Sequence, residues 1–364
     1  MIVVITLIVL IVVYIVIERV YIACWDKKLD IAVHLPTENV HENETANITE
    51  IITNDKFLPL PTLEIFFHFD KGLKYTNMEN SLVSDKLYRR DVFAVGIKKK
   101  ITRTFEITCE KRGYYSIDKL EMMSTDLFMA KKFLGEHSFY EDFYVYPRKV
   151  RSDKIALPYQ QVMGELMVKK QLYEDPFAFG GIRDYVNTDP MNKINWKATA
   201  KSQDLVVNMF ESSINQTVVV LLDTFENRTF FSEDLNEESI RIASALTERL
   251  FMQGVEVSLY GNGRDILTKE KLALTGLKGL GSALMKQYLA RLERGHEESI
   301  TTLFDDIPKG AFVVIISKNQ GIQEAIQTKL KDYLWILPYK YELPKLEGMR
   351  NKYMLWELEA NNRT

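Results

Sequence analysis

The densest collection of reactive side chains in the sequence runs from Phe179 to Lys201. Arg183, Asp184 and Tyr185 place a guanidinium, a carboxylate and a phenol in succession, and a second carboxylate follows at Asp189. Such a set could serve a hydrolase if the groups converged in a cleft and one carboxyl titrated abnormally. The stretch holds no nucleophile–base pair and no metal-ligand cluster, so it is read first as a structural corner in which Arg183 ties the loop to Asp189 or Asp184. Gly180 and Gly181 allow a tight backbone path into it. Asp189 is expected to cap a helix and Pro190 to occupy its first position. On that helix Ile194 and Ala198 share one face, Trp196 and Ala200 another, and Trp196 anchors it.

The same stretch resembles the signature of domain-of-unknown-function family 58, bacterial membrane-anchored proteins with a von Willebrand factor A-like domain. The positions that carry the resemblance are Arg183, Asp184, Tyr185, Asp189, Lys193, Ile194, Asn195, Trp196, Thr199, Ala200 and Lys201. Thr188 stands where the family usually has Gly, and Lys193 and Lys201 stand where Arg is common; lysine does not copy a bidentate arginine contact. Lys111-Arg-Gly-Tyr-Tyr115 is similar to the family's Arg-Gly-x-Tyr turn. Asp126-Leu-Phe128 is similar to its Asp-Pro-Phe element, with Leu127 in place of Pro. Both are read as turns with aromatic anchors.

The resemblance also locates a second candidate site. In von Willebrand A domains the first buried strand ends in a metal motif, Asp-x-Ser-x-Ser. The matching residues are Asp223-Thr-Phe-Glu-Asn227, in which Phe225 offers no oxygen and Asn227 replaces the second Ser. A later strand, Phe312–Ser317, is followed by Lys318 where that fold usually carries an Asp. Magnesium needs near-octahedral oxygen ligation, and one carboxylate facing a lysine is the wrong electrostatics for it. The expectation is a site free of metal, or holding magnesium only weakly at Asp223, with the Lys318 ammonium paired to Asp223 in place of the cation.

The surrounding elements must position these groups. The chain has 364 residues, 46% hydrophobic and 27% charged, with a net charge of −3, which argues against a general nucleic-acid binder. Cys24 and Cys109 imply no disulfide framework. Met1 to Ile17 carries no charged side chain, and Ile2–Ala23 as a helix would extend about 33 Å, enough for a bilayer. Tyr21 and Trp25 are expected at the membrane interface. Arg19, Lys27 and Lys28 follow the span, which puts the C-terminal bulk on the cytoplasmic side.

Residues 1–25 are thus read as a transmembrane anchor and 26–148 as a small β-sandwich-like module of alternating strands: Ile31 and Val33 share one face, Phe105, Ile107 and Cys109 another. His34, His41 and His68 fall here without zinc spacing. Residues 149–364 are read as an α/β, Rossmann-like von Willebrand A-like domain with a mostly parallel sheet. Thr217–Leu222 and Ala311–Ser317 are strands buried on both faces, Val255–Tyr260 is closed by Gly261-Asn-Gly263, and Glu237–Gln253 is an amphipathic helix. Gly276–Gly281 lacks the Gly-Lys-Ser/Thr ending of a phosphate loop.

The reading that joins these features is a bacterial, single-pass membrane protein that acts by binding rather than catalysis, with no catalytic residue assigned. Resemblance implies a MoxR-type AAA+ ATPase as partner, in assembly or maturation of envelope complexes. The alternatives are an enzyme built on Arg183, Asp184, Tyr185 and Asp189, and a metal-dependent adhesion module.

Overall fold

The computed structural model describes residues 1–37, 40–69, 71–76, 81–83, 87–172, 174–212, 217–226, 232–278, 281–293, 298–344, 346, 348 and 352–358. The chain separates into two compact units, Met1–Arg148 and Lys149–Thr364.

The first unit begins with α1, Ile2–Cys24, the one helix among the described residues long and apolar enough to cross a membrane. Its first four turns expose Ile, Val and Leu on every side. Its last turn does not. Tyr21 is 1% exposed and donates its hydroxyl to the Pro59 carbonyl at 2.8 Å. Trp25 is buried with its ring 5.9 Å from Phe133. The two rings expected at a membrane interface are therefore packed inside the protein. Their area is covered by β residues, a fate the local sequence does not encode.

Ten strands follow: β1 Leu29–His34, β2 Val40–His41, β3 Thr45–Asn54, β4 Leu60–Phe69, β5 Leu73–Tyr75, β6 Ser81–Val83, β7 Leu87–Val95, β8 Lys99–Cys109, β9 Gly113–Thr125 and β10 Lys132–Tyr146. They form a four-stranded sheet, β1-β3-β8-β5, and a six-stranded sheet, β2-β10-β9-β4-β7-β6. One core joins them, with Ile31, Val33, Ile48, Ile52, Ile107 and Cys109 from the first sheet against Leu63, Ile65, Phe67, Ile117 and Phe143 from the second. Burial pushes the Cys109 thiol up to about 12, so it remains protonated there.

Pro61 sits beside the register shift at Leu60/Leu63, where a missing N–H interrupts no regular ladder. In the Arg-Gly-Tyr-Tyr turn, Tyr115 donates to the Lys111 carbonyl at 2.9 Å. Its hydroxyl lies where a Cβ on Gly72 would fall, so the close approach requires glycine at 72. His34 lies against Glu141, His41 against the Pro147 carbonyl and His68 against Tyr88.

The second unit runs α2 Ser152–Leu172, β11 Glu174–Asp184, α3 Trp196–Ser202, β12 Val206–Ser212, β13 Thr217–Leu222, α4 Glu233–Met252, β14 Glu256–Arg264, β15 Lys271–Leu277, α5 Gly281–Arg291, β16 Phe312–Ile316, α6 Gln323–Lys329, β17 Tyr333–Tyr339 and β18 Tyr353–Glu357. The main sheet has the order β15-β14-β13-β16-β17-β18. It is parallel except at its edge, where β15 runs antiparallel to β14. Successive strands step outward from β13 in one direction, then in the other, which makes the carboxyl end of β13 a topological switch point.

The β13 run is buried on both faces because both are covered. Val218, Val220 and Leu222 pack with Ile240, Ala243, Leu246 and Leu250 of α4. Val219 and Leu221 pack with Ile300, Phe304, Ile322 and Ile326 on the other side. The strand that precedes β13 does not join this sheet. As β12 it pairs with β11 in a separate two-stranded ribbon. β14 also continues through Gly261-Asn-Gly263 instead of ending there. The glycines make that passage possible: a Cβ on Gly263 would stand 2.8 Å from Leu292, and one on Gly261 3.0 Å from Leu272.

Candidate functional site

Asp223 leaves the carboxyl end of β13 and is 1% exposed. Neutral donors from three neighbouring segments meet it. The Ser317 hydroxyl, just past β16, donates to Oδ2 at 2.5 Å, and the Asn262 amide from β14 donates to Oδ1 at 2.7 Å. The Phe225 backbone N–H closes a short turn onto Oδ1 at 3.0 Å. Each donor is itself fixed. Ser317 Oγ accepts from the Asn319 N–H at 3.0 Å, and the Ser317 carbonyl accepts from the Trp335 indole at 3.0 Å. Asn262 gives its second amide proton to the Glu298 carbonyl at 2.8 Å, and its oxygen accepts from the Thr224 N–H and hydroxyl at 2.8 and 3.1 Å. Burial raises the Asp223 pKa, while the hydrogen bonds and the nearby Lys318 charge oppose that rise.

Lys318 does not pair directly with Asp223. Among the described residues its ammonium lies 4.0 Å from Glu226 Oε1 and 3.4 Å from the Ser232 carbonyl, which it serves as donor. Glu226 Oε1 also accepts from the Asn236 amide at 2.6 Å. Burial lowers the Lys318 pKa, with Glu226 and then Asp223 working against the fall. The reason for the changed pairing is local: Asp223 already has three donors at bonding distance, and Glu226 brings a second carboxylate close to the ammonium. Phe225 contributes only its backbone, and Asn227 lies outside the described residues.

This donor set does not fit a hard divalent cation. Both Asp223 oxygens face N–H or O–H donors, Asn262 presents its amide nitrogen, and an ammonium occupies the neighbourhood. Asn262 and Ser317 carry the site, yet neither stands out in the sequence. Gly-Asn-Gly reads as a turn, and Ser317 reads as the end of a strand.

The Arg183–Lys201 stretch folds around β12. Arg183 faces Val207 from β11, and Ile194 bridges the same Val207 from the opposite edge. Arg183 grips Asp189 with two bonds of 2.6 Å and donates to the Asp184 carbonyl at 3.0 Å. Asp189 accepts also from the Val186 N–H at 2.9 Å, and the Arg183 contact is the main cause that holds its carboxyl down at about 2. Tyr185 joins the frame through its N–H, which donates to the Leu205 carbonyl at 2.8 Å.

Asp189 and Pro190 do not start a helix. A short 3-10 turn, Met191–Lys193, follows them, and the cap of α3 is Asn195. Its Oδ1 accepts from the Ala198 N–H at 2.9 Å, and its Nδ2 donates to Asn208 Oδ1 at 2.7 Å. Asp189 is unavailable as a cap because Arg183 and Val186 occupy it. Thr199 Oγ1 accepts from the Val206 N–H at 3.1 Å. Lys193 is half-buried, and Ala200 and Lys201 are exposed. Ile194, not Trp196, is the buried anchor: it is 6% exposed and Trp196 is 64% exposed. Gly181 stands at φ 145°, a conformation side chains rarely adopt.

Residues 181–269 match the family model described as protein of unknown function DUF58, which supports that family over less than half of the chain. No curated protein matches the sequence. Among solved structures, domains D2 and D3 of the major pilin SpaD from Corynebacterium diphtheriae align at 12% identity and a TM-score of 0.24, covering 32% of this chain and 52% of that one. The full-length pilin is covered over only 34% of its length. The CARDB domain of the PF1109 protein from Pyrococcus furiosus aligns at 18% identity and 0.22 over 33% of this chain and 88% of its own. A non-cellulosomal cohesin from Archaeoglobus fulgidus aligns at 8% and 0.22 over 36% and 97%. Likenesses this weak carry no functional inference.

Proposed function

We propose that the protein is a membrane-anchored interaction protein whose α/β unit is a von Willebrand A-like platform. The observation that carries this reading is the disposition of the Arg183–Lys201 stretch. Its polar groups bond to one another and to the local backbone, while Ile182, Val186, Met191 and Trp196 stand 50–69% exposed. A site built for chemistry would turn polar groups inward around a substrate. A rigid frame that holds large apolar side chains in water is built to meet another surface. The strand order of the main sheet, with its antiparallel edge, supports the platform. The Asp223 network supports the same reading, because protein donors hold the switch point in a fixed state where a metal-dependent adhesion module would need open oxygen ligands.

The partner class this reading favours is a MoxR-type AAA+ ATPase, on the cytoplasmic side of a bacterial membrane. The test is co-purification of the full chain from native membranes with ATP present. Trp196→Ser is expected to reduce recovery of the ATPase while leaving the melting temperature unchanged, since the indole is mostly solvated. Equal recovery with and without Trp196, or no ATPase in either sample, would count against the assignment.

A further inference from the structure

Ile2 to Ile17, the uncharged part of α1, covers about 24 Å at roughly 1.5 Å per residue, and Val20 and Ile22 in the next turn remain 45 and 47% exposed. Beyond Ile17 the helix is engaged by the β unit through Glu18, Tyr21 and the adjoining Trp25. A helix held in this way brings part of the β unit close to the depth of its last turns.

The β9–β10 turn lies there. The Phe128 ring stands 5.3 Å from Tyr14, which is on the apolar part of α1, and Lys131 pairs with Glu18 one turn later. The tip is Leu127-Phe128-Met129, exposed at 46, 51 and 64%. It is a fixed turn. Asp126 Oδ1 accepts from the Ala130 and Lys131 N–H groups at 2.7 and 3.2 Å, and the Met129 N–H donates to the Asp126 carbonyl at 3.0 Å. Met129 takes φ 56° to complete it. Three apolar side chains are thus held out beside a helix that is itself clothed in apolar side chains.

Charge points the same way. Lys27 and Lys28 follow α1 directly, and Lys98, Lys99 and Lys100 form the exposed β7–β8 turn. The two turns share one end of the first sheet, joined through the β3–β4 loop by the Asp55 N–H to Lys28 carbonyl bond at 3.0 Å and the Lys98 N–H to Lys56 carbonyl bond at 3.1 Å. Asp26 and Asp55 lie at that end too, and the lysines outnumber them. Exposed lysines beside a membrane helix attract anionic headgroups.

We propose that the β9–β10 turn is a second membrane contact: Leu127, Phe128 and Met129 insert beside α1 into an anionic phospholipid leaflet, and the lysines at the helix base lie on its phosphates. The proposal rests on α1 crossing the bilayer. The arrangement would hold the β unit against the membrane at two points, so that it could not pivot freely on the helix.

The test uses the full chain with Cys24→Ser, buried Cys109 left in place, and single cysteines at Leu10, Phe128, Met129 or Tyr140 carrying an environment-sensitive fluorophore. Each protein is reconstituted into phosphatidylethanolamine–phosphatidylglycerol vesicles containing nitroxide-labelled lipid. Tyr140 lies about 30 Å along β10 from the turn at roughly 3.3 Å per residue. Quenching at 128 and 129 is expected to exceed that at 140 several-fold and to fall when phosphatidylcholine replaces phosphatidylglycerol. Strong quenching at 10 with 128 and 129 no more quenched than 140 would overturn the insertion while leaving the helix in the bilayer. No quenching at 10 would overturn the span and the proposal with it. Equal quenching in both lipids would remove the lysines from the contact.

Discussion

Two buried carboxylate sites, one in each unit, are stabilised in opposite ways. Asp223 is surrounded by neutral donors: a hydroxyl, an amide and a backbone N–H, each held by further bonds. The β unit instead buries a cluster of charges. Asp91, 0% exposed, takes two bonds from Arg89 and one of 2.7 Å from Arg103. Arg89 lies over the rings of Phe105 and Tyr75 at 3.9 and 4.7 Å. Glu50, 1% exposed, has no donor for either oxygen among the described residues, and burial followed by the Asp91 charge lifts its pKa to about 8. Burial and the Asp91 charge thus favour its protonated, neutral form at neutral pH. The contrast shows that burial alone does not decide whether an acid is charged. Where guanidiniums are limited, one carboxylate takes them and its neighbour goes neutral. Where neutral donors converge on a single acid, a fixed polar knot forms without a second charge.

Substitutions sharpen this contrast, beginning with the largest effect. Asp91→Asn leaves the buried Arg89 guanidinium without its counter-charge and is expected to cost about 3–5 kcal/mol, read as a fall in the urea midpoint. Asp223→Ala strands the Asn262 and Ser317 donors in a dry site and is expected to cost about 3 kcal/mol by the same measurement. A cost below that of an exposed polar substitution would mean that the knot is not stabilising.

Glu50→Gln is expected to change stability by no more than about 1 kcal/mol below about pH 4, where the residue it replaces is neutral in both the folded and the unfolded chain. Its pH signature is more telling. The folded-state pKa of Glu50 lies above the unfolded value, so its contribution is complete below the unfolded pKa and is lost as pH rises toward about 8. The wild type should lose stability relative to Glu50→Gln across that window. Parallel curves would show that Glu50 is ionised. The smallest effect belongs to Asp189→Asn in the exposed ribbon. The depressed Asp189 pKa gives stability above its unfolded value that is lost as pH falls toward about 2. The substitution should leave global unfolding unchanged and speed hydrogen exchange at Val186.

The strongest signals in the sequence were those of the repeating core. The β-branched run of β13 and the Ile240–Leu250 stripe of α4 announce a buried strand and the helix that covers it, because both patterns follow from burial alone. The mixed α/β character and the apolar first helix are equally plain in the residues. Pairing across long separations was not. β15, with its Leu272 and Leu274 inward, and β18, anchored by Trp356, gain their place from strands far off in the chain. Asn262 looked like a turn residue because the flanking glycines usually signal one, yet they serve close approach instead. Asp189 looked like a helix cap until Arg183 claimed it. Tyr21 and Trp25 looked like interfacial rings because nothing nearby in sequence reveals that β residues cover them.

Protein donors, and not a cation, are proposed to organise the switch point at Asp223. Manganese titration of the detergent-solubilised full chain, followed by electron paramagnetic resonance, tests this directly against Asp223→Ala. Superimposable titrations, with no saturable site that depends on Asp223, are expected. A tight, saturable manganese site in the wild type that disappears on substitution would contradict it.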